Sequence, residues 1–173
     1  MSCGEDIRIK SAPVATHEVR TLIAELDRVL SAEYPREQRH GLELEAIFQP
    51  HVRLFVARLN GEAVGCGGVA LFADFAEVKR MYVRDDARGK GVAQALLARI
   101  EMEVRAARLA VLRLETGERQ EAAIRLYMRA GFRRCPAFGA YAEMAAEAVS
   151  VRRCRRGHCA VPVEIASSLR SSQ

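Results

Sequence analysis

Arg88-Gly89-Lys90-Gly91-Val92-Ala93 is the stretch of this chain best equipped for chemistry. It follows a strand-like run, Val78 to Val83, and opens a strongly helical segment. Glycines let a backbone approach a ligand with no Cβ in the way. The first N–H groups of a helix lack internal partners, and the positive end of its dipole favours phosphate. Arg88 and Lys90 add mobile positive charge at the same place. The residues therefore read as a loop for a pyrophosphate.

Two familiar phosphate loops do not fit. The chain has no Gly-x-x-x-x-Gly-Lys-Ser/Thr. Gly65-Cys66-Gly67-Gly68-Val69-Ala70 loosely matches a dinucleotide fingerprint, but strand rather than helix follows it. The plainer reading is a strand against which another segment packs closely.

The elements that must hold the loop alternate between helix and strand. Asp6 to Lys10 alternates like a short strand. Val19, Leu22, Ile23, Leu26, Val29 and Leu30 form a helical stripe behind Thr16 as N-cap. Tyr34-Pro35 ends that helix, because the residue before proline disfavours it. Leu42 to Phe48 reads as a second short helix. Val52–Leu59 and Glu62–Phe72 read as strands joined by Asn60-Gly61, a strong hairpin signal. Asp74 to Val83 is the next strand, and 89–108 a helix with Val92, Leu96, Ile100 and Val104 on one stripe. A strand at 110–115, a helix at 119–130, a short strand around Phe132 and a last strand at Val149 to Val151 complete the order. It predicts an α/β domain with a mixed sheet and helices on both faces.

Arg88-x-x-Gly91-x-Ala93, the strand Glu77 to Val83 before it, the strand Val111 to Glu115 and the run Ala123-Ile124-Arg125-Leu126-Tyr127-Met128-Arg129-Ala130-Gly131-Phe132 agree together in order and spacing. In these residues the chain resembles the GNAT family of N-acetyltransferases over roughly residues 5 to 153. The resemblance implies the GNAT fold: a central, mostly antiparallel sheet splayed between its fourth and fifth strands. It covers one domain, 5–153, and the arginines and serines beyond it read as a basic, flexible tail over 154–173. The resemblance also implies acetyl-CoA as co-substrate, with its pyrophosphate on Arg88, Gly89, Lys90, Gly91, Val92 and Ala93. Main-chain groups of Met81, Tyr82 and Val83 would meet the pantetheine arm, and Gln120 stands where an asparagine often bonds that arm.

The implied activity is direct acetyl transfer to a primary amine of a small molecule. The chemistry has three needs. An alkylamine with a pKa near 10 is neutral in only about one part in a thousand at pH 7, a deficit of roughly 4 kcal/mol. The tetrahedral oxyanion needs aimed donors. The leaving thiolate benefits from a proton. By the resemblance, Glu77 would take the amine proton through water, with Glu115 as the alternative carboxylate. The plain structural reading of Glu77 is a strand carboxylate paired with Lys79 or Arg80. Tyr127 would protonate or position the sulfur; its plain reading is a core aromatic whose hydroxyl finds a backbone partner. Arg36, Lys79 and Arg80 are the cations that could receive a carboxylate on the acceptor. The alternative function is a module of this fold that binds CoA without transferring acetyl.

Composition bounds the rest. The chain has 173 residues, half of them hydrophobic, enough for one domain with a large core. No apolar run approaches the roughly 20 residues a membrane span needs, and Met1 to Asp6 lacks a signal-peptide layout. Five scattered cysteines fit free thiols in a reducing cytoplasm. Most of the net charge of +5 sits in five arginines beyond residue 151, which disfavours a nucleic-acid-binding body. Cys154, His158 and Cys159 are too sparse for a structural zinc site, so no metal is expected. A homodimer is compatible with this reading.

Overall fold

The computed structural model describes residues 6–34, 44–117, 119–135, 138 and 149–153. The strands are β1 (Ile7–Ser11), β2 (Val52–Leu59), β3 (Glu62–Leu71), β4 (Ala76–Val83), β5 (Val111–Glu115), β6 (Arg133–Arg134) and β7 (Val149–Arg153). The helices are α1 (His17–Glu33), α2 (Val92–Ala106) and α3 (Glu121–Arg129), with single 3-10 turns at Glu45–Phe48 and Asp85–Ala87. The described strands form one sheet in the order β1-β2-β3-β4-β5-β7-β6. Only β4 and β5 are parallel; the other neighbours are antiparallel.

Local signals place several elements. The Thr16 side chain accepts from the Val19 N–H and caps α1. The Asn60-Gly61 turn has φ of 51° and 92°, the left-handed pair that matches the twist of a two-residue hairpin. The helix expected over 42–48 is one 3-10 turn in its described part, with Ile47 buried.

Two layers cover the sheet. Val19, Leu22 and Ile23 of α1 pack with Leu54, Val56 and Cys66 on one face. Leu96, Ile100 and Val104 of α2 pack on the other with Phe55, Val69, Val78, Leu112 and Leu114. Tyr127 of α3 and Phe132 join that second cluster. Alternation along β4 and β5 then sends Phe75, Glu77, Lys79 and Arg113 to the α1 face.

β4 and β5 pair only at Ala76↔Leu112 and Glu77↔Arg113. Beyond those rows the strands part, as expected for the fourth and fifth strands. A β-bulge supplies a physical cause. Cys66 opposes Tyr82 and Gly68 opposes Lys79, so Gly67 faces both Arg80 and Met81. Arg80 takes φ 55° to make the extra residue fit. A bulge bends its strand and adds local twist, and here it turns the second half of β4 away from β5. The left-handed conformation costs a non-glycine residue about 1–3 kcal/mol. An ion pair between the buried Arg80 guanidinium and Asp27 of α1 holds it in place.

Candidate active site

The parted half of β4 runs into the glycine loop. After Val83 the chain makes the turn Asp85–Ala87, then Arg88 to Gly91, and α2 starts at Val92, later than the expected 89. Gly91 is the N-cap, with φ 86° and no side chain to occupy the first N–H groups of the helix. The first turn of α2 carries no acidic residue. This is the open, uncapped helix start an anion needs. Lys90 is exposed, Val92 is buried, and Ala93 is half-buried. Arg88 is drawn back: its Nε donates to the Val83 carbonyl at 3.2 Å, and its guanidinium pairs with Asp85 at 2.9 Å. That carbonyl is therefore engaged before any ligand arrives.

Gly91→Val should weaken acetyl-CoA binding more than folding. A Cβ at Gly91 would meet only the Gln94 side chain at 3.6 Å and Ile7 at 3.7 Å, which is ordinary contact. The folding cost is then mainly the positive φ, about 1–3 kcal/mol. Losing charged contacts to the helix N–H groups should cost about 10- to 100-fold in affinity. Titration of the folded variant by calorimetry checks this; parental affinity would remove the loop from the site.

Met81, Tyr82 and Val83 lie past the bulge. Met81 packs with the α2-side cluster. The Tyr82 ring packs on the α1 side and its hydroxyl bonds Glu25, with burial the main cause of its raised pKa. What Tyr82 offers a ligand in the gap is therefore main chain. Glu25 is itself held by a two-point pair with Arg84, each contact 2.9 Å, which keeps its carboxyl below the usual range. Two ion pairs, Arg80–Asp27 and Arg84–Glu25, thus clamp α1 onto the end of β4.

Glu77 sits where β4 and β5 part. It is buried, and Lys79 donates to its Oε1 at 2.5 Å. The pairing anticipated as the plain reading is present, and the carboxylate still stands beside the gap. Lys79 and Arg80, expected as receivers of an acceptor carboxylate, are engaged with Glu77 and Asp27. Arg36 lies outside the described residues. Glu115 ends β5 on the same face as Arg113, half-buried.

Tyr127 is buried on α3, its ring 5.4 Å from that of Phe132. Burial alone raises its pKa strongly. Among the described residues no hydrogen bond engages its hydroxyl, so the backbone partner of the plain reading is not found there. Gln120 precedes α3, and its Oε1 accepts from the buried Thr116 hydroxyl at 2.9 Å. With its oxygen fixed, the amide can offer its NH2 to a ligand.

Two features escaped the sequence reading. The Tyr34 hydroxyl, at the end of α1, accepts from the Arg119 N–H at 2.9 Å. It lies where a Cβ on Gly117 would come within 2.2 Å, so only glycine fits there. Burial raises the Tyr34 pKa, so the hydroxyl stays protonated. α1 is thus locked to the turn that carries Gln120. The second feature is Arg113, whose guanidinium lies over Phe75 at 4.9 Å and Phe138 at 5.0 Å. Alternation in Val111-Leu112-Arg113-Leu114-Glu115 was the available signal, because it opposes Arg113 to two buried leucines.

Comparisons with known proteins bear on the family and the fold. A family model described as acetyltransferase (GNAT) family matches residues 18–132. A protein of Azospirillum brasilense named IAA acetyltransferase is 47% identical over 122 residues, 69% of this chain and 80% of that protein. A crystal structure of a candidate acyl-CoA N-acyltransferase from Klebsiella pneumoniae superposes with TM-score 0.75 at 32% identity, covering 86% of this chain and 98% of the other. A GNAT acetyltransferase from Elizabethkingia anophelis with acetyl-CoA bound shares the fold, with TM-score 0.60 at 18% identity over 85% of this chain and 97% of that one.

Proposed function

Because the chain belongs to the GNAT family of acetyltransferases, we propose that it moves the acetyl group of acetyl-CoA directly onto a primary amine of a small molecule. The observation that carries this reading is the parting of β4 and β5 beyond Glu77 and Arg113, with the uncapped start of α2 at the far end of β4. The loop 88–93 takes the pyrophosphate, and β4 main chain from Met81 to Val83 meets the pantetheine arm. Gln120 adds an amide contact.

The reaction then runs in one complex. The neutral amine nitrogen attacks the thioester carbonyl carbon, and the carbonyl oxygen takes up negative charge. Main-chain N–H groups facing the gap stabilise that charge. The C–S bond breaks as the amide forms. Glu77 receives the amine proton through water, and Tyr127 gives a proton to the departing sulfur, so amine and acetyl-CoA become amide and CoA thiol. Burial keeps the Tyr127 proton in place at working pH.

Acetyl-CoA at about 100 times its dissociation constant should stabilise the protein by about 2.7 kcal/mol. For a chain of this size that corresponds to a rise of about 5–10 °C in melting temperature. Absence of a shift in a folded sample would overturn the site. Turnover is then screened on amines, amino acids, polyamines and aminoglycosides, with IAA included because a relative carries that name. A thermal shift with no turnover on any acceptor would instead favour the non-transferring module.

A further inference from the structure

Arg113 is not explained by the cofactor. It lies on the α1 face of β5, opposite the leucines that face α2. Its guanidinium rests in the corner made by two rings that meet edge-on, 4.9 Å from that of Phe75 and 5.0 Å from that of Phe138. Its Nε is buried and has no hydrogen-bond partner, and no described carboxylate pairs with it. An unsatisfied buried donor on a cation is costly to leave unmade. A guanidinium that rests against aromatic rings keeps its edge free for a planar anion. The residue as a whole is half-buried, so the rest of the side chain keeps access to solvent. Glu77 is its neighbour in the strand pair, yet its carboxylate is taken by Lys79.

Aromatic rings continue from this point. Phe72 stacks on Phe75 with centroids 4.7 Å apart, and Phe75 meets Phe138 edge-on at 5.6 Å. Phe72 is 40% exposed, so part of the shelf stays open.

We infer that Arg113 selects the acceptor by binding its carboxylate, and that the acceptor is an α-amino acid with an aromatic side chain. Neighbouring strands lie about 4.8 Å apart. A carboxylate and an amine on one carbon can therefore reach Arg113 and the neighbourhood of Glu77 together, with the ring on the Phe72–Phe75 shelf. This rests on the transfer reading above for the fate of the amine, but not for binding. The carboxylate is unchanged in the step: the amine nitrogen gains the acetyl carbon, loses its proton, and CoA leaves as the thiol.

The test compares L-phenylalanine, L-phenylalaninamide and L-alanine as acceptors with saturating acetyl-CoA, and by calorimetry in the presence of CoA. The unmodified protein should favour L-phenylalanine over its amide by about 10- to 100-fold in kcat/KM, the range of a charged hydrogen-bonded contact. L-Alanine should be poorer by about tenfold or more through lost ring burial. Arg113→Gln should collapse the acid-to-amide ratio toward unity through KM rather than kcat. Arg113→Lys should restore part of the preference, since it keeps charge but not the fork. Equal treatment of acid and amide by the unmodified protein, or no binding of L-phenylalanine at all, would overturn the inference, and neither arm needs a variant to fold. Turnover of amines without acid preference would leave the transfer reading intact while this one fell. Binding of L-phenylalanine that Arg113→Gln abolishes, with no turnover of any amine, would support the carboxylate site and sink the transfer reading instead.

Discussion

Glu77→Gln should lower turnover of an amine acceptor by about 10²- to 10⁴-fold at pH 7, the usual worth of a general base. The carboxylate is buried at the last paired row of β4 and β5, where an acceptor would enter the gap. Glutamine keeps the shape and still accepts a hydrogen bond, but it cannot take up a proton. Only acceptor already neutral in solution would then react, about one molecule in a thousand at pH 7 for an ordinary alkylamine. The deficit should therefore shrink as pH approaches the amine pKa. That convergence separates a base from a binding group, whose loss would be uniform in pH. The change also strips Lys79 of a partner 2.5 Å away, and removing one member of a buried pair costs about 3–5 kcal/mol. Rates must accordingly be taken well below the melting temperature of the variant. A rate equal to the parent across the pH range would remove Glu77 and leave Glu115 as the candidate.

What was legible in the chain was local. The Thr16 cap, the α1 stripe and the Asn60-Gly61 turn depend on residues within four positions of one another. The glycine loop is equally local, since the strand, turn and helix that make it are contiguous. Its start slipped by three residues because Gly89 and Gly91 both take positive φ, which delays α2 to Val92. The glycines of β3 read as a close approach, and a Cβ on Gly65 would lie 2.7 Å from the Tyr82 carbonyl. Long-range features were not legible. Nothing near Arg80 marks it as the bulged residue; its conformation is fixed by Gly67 across the ladder and Asp27 on another layer. Tyr34 looked like a helix stop, and it is one, but its hydroxyl also serves the Arg119 N–H 85 residues away. Arg113 was only one residue of the strand Val111 to Glu115, because Phe75 and Phe138 reach it only through the fold.

Tyr127→Phe should lower turnover by about 10²-fold or more if the hydroxyl protonates the sulfur, while leaving acetyl-CoA affinity nearly unchanged. The substitution keeps the ring, which packs against Phe132 in the α2-side core. It removes a hydroxyl for which no described residue provides a hydrogen bond, so stability should hold or rise slightly. The hydroxyl matters only as charge develops on sulfur, so its loss should fall on kcat and not on ground-state binding. The pH dependence follows from burial. A free tyrosine loses its proton near pH 10, but burial holds that of Tyr127 well past that point. Tyr127 therefore stays protonated from pH 7 to pH 9.5, and the ratio of parent to variant turnover should stay level across that range. Saturating acceptor and acetyl-CoA at each pH isolate the chemical step, and a separate titration follows acetyl-CoA binding. A parallel fall in affinity and turnover would make Tyr127 a binding residue only. An unchanged rate would take it out of the mechanism and leave the thiolate to depart without assistance.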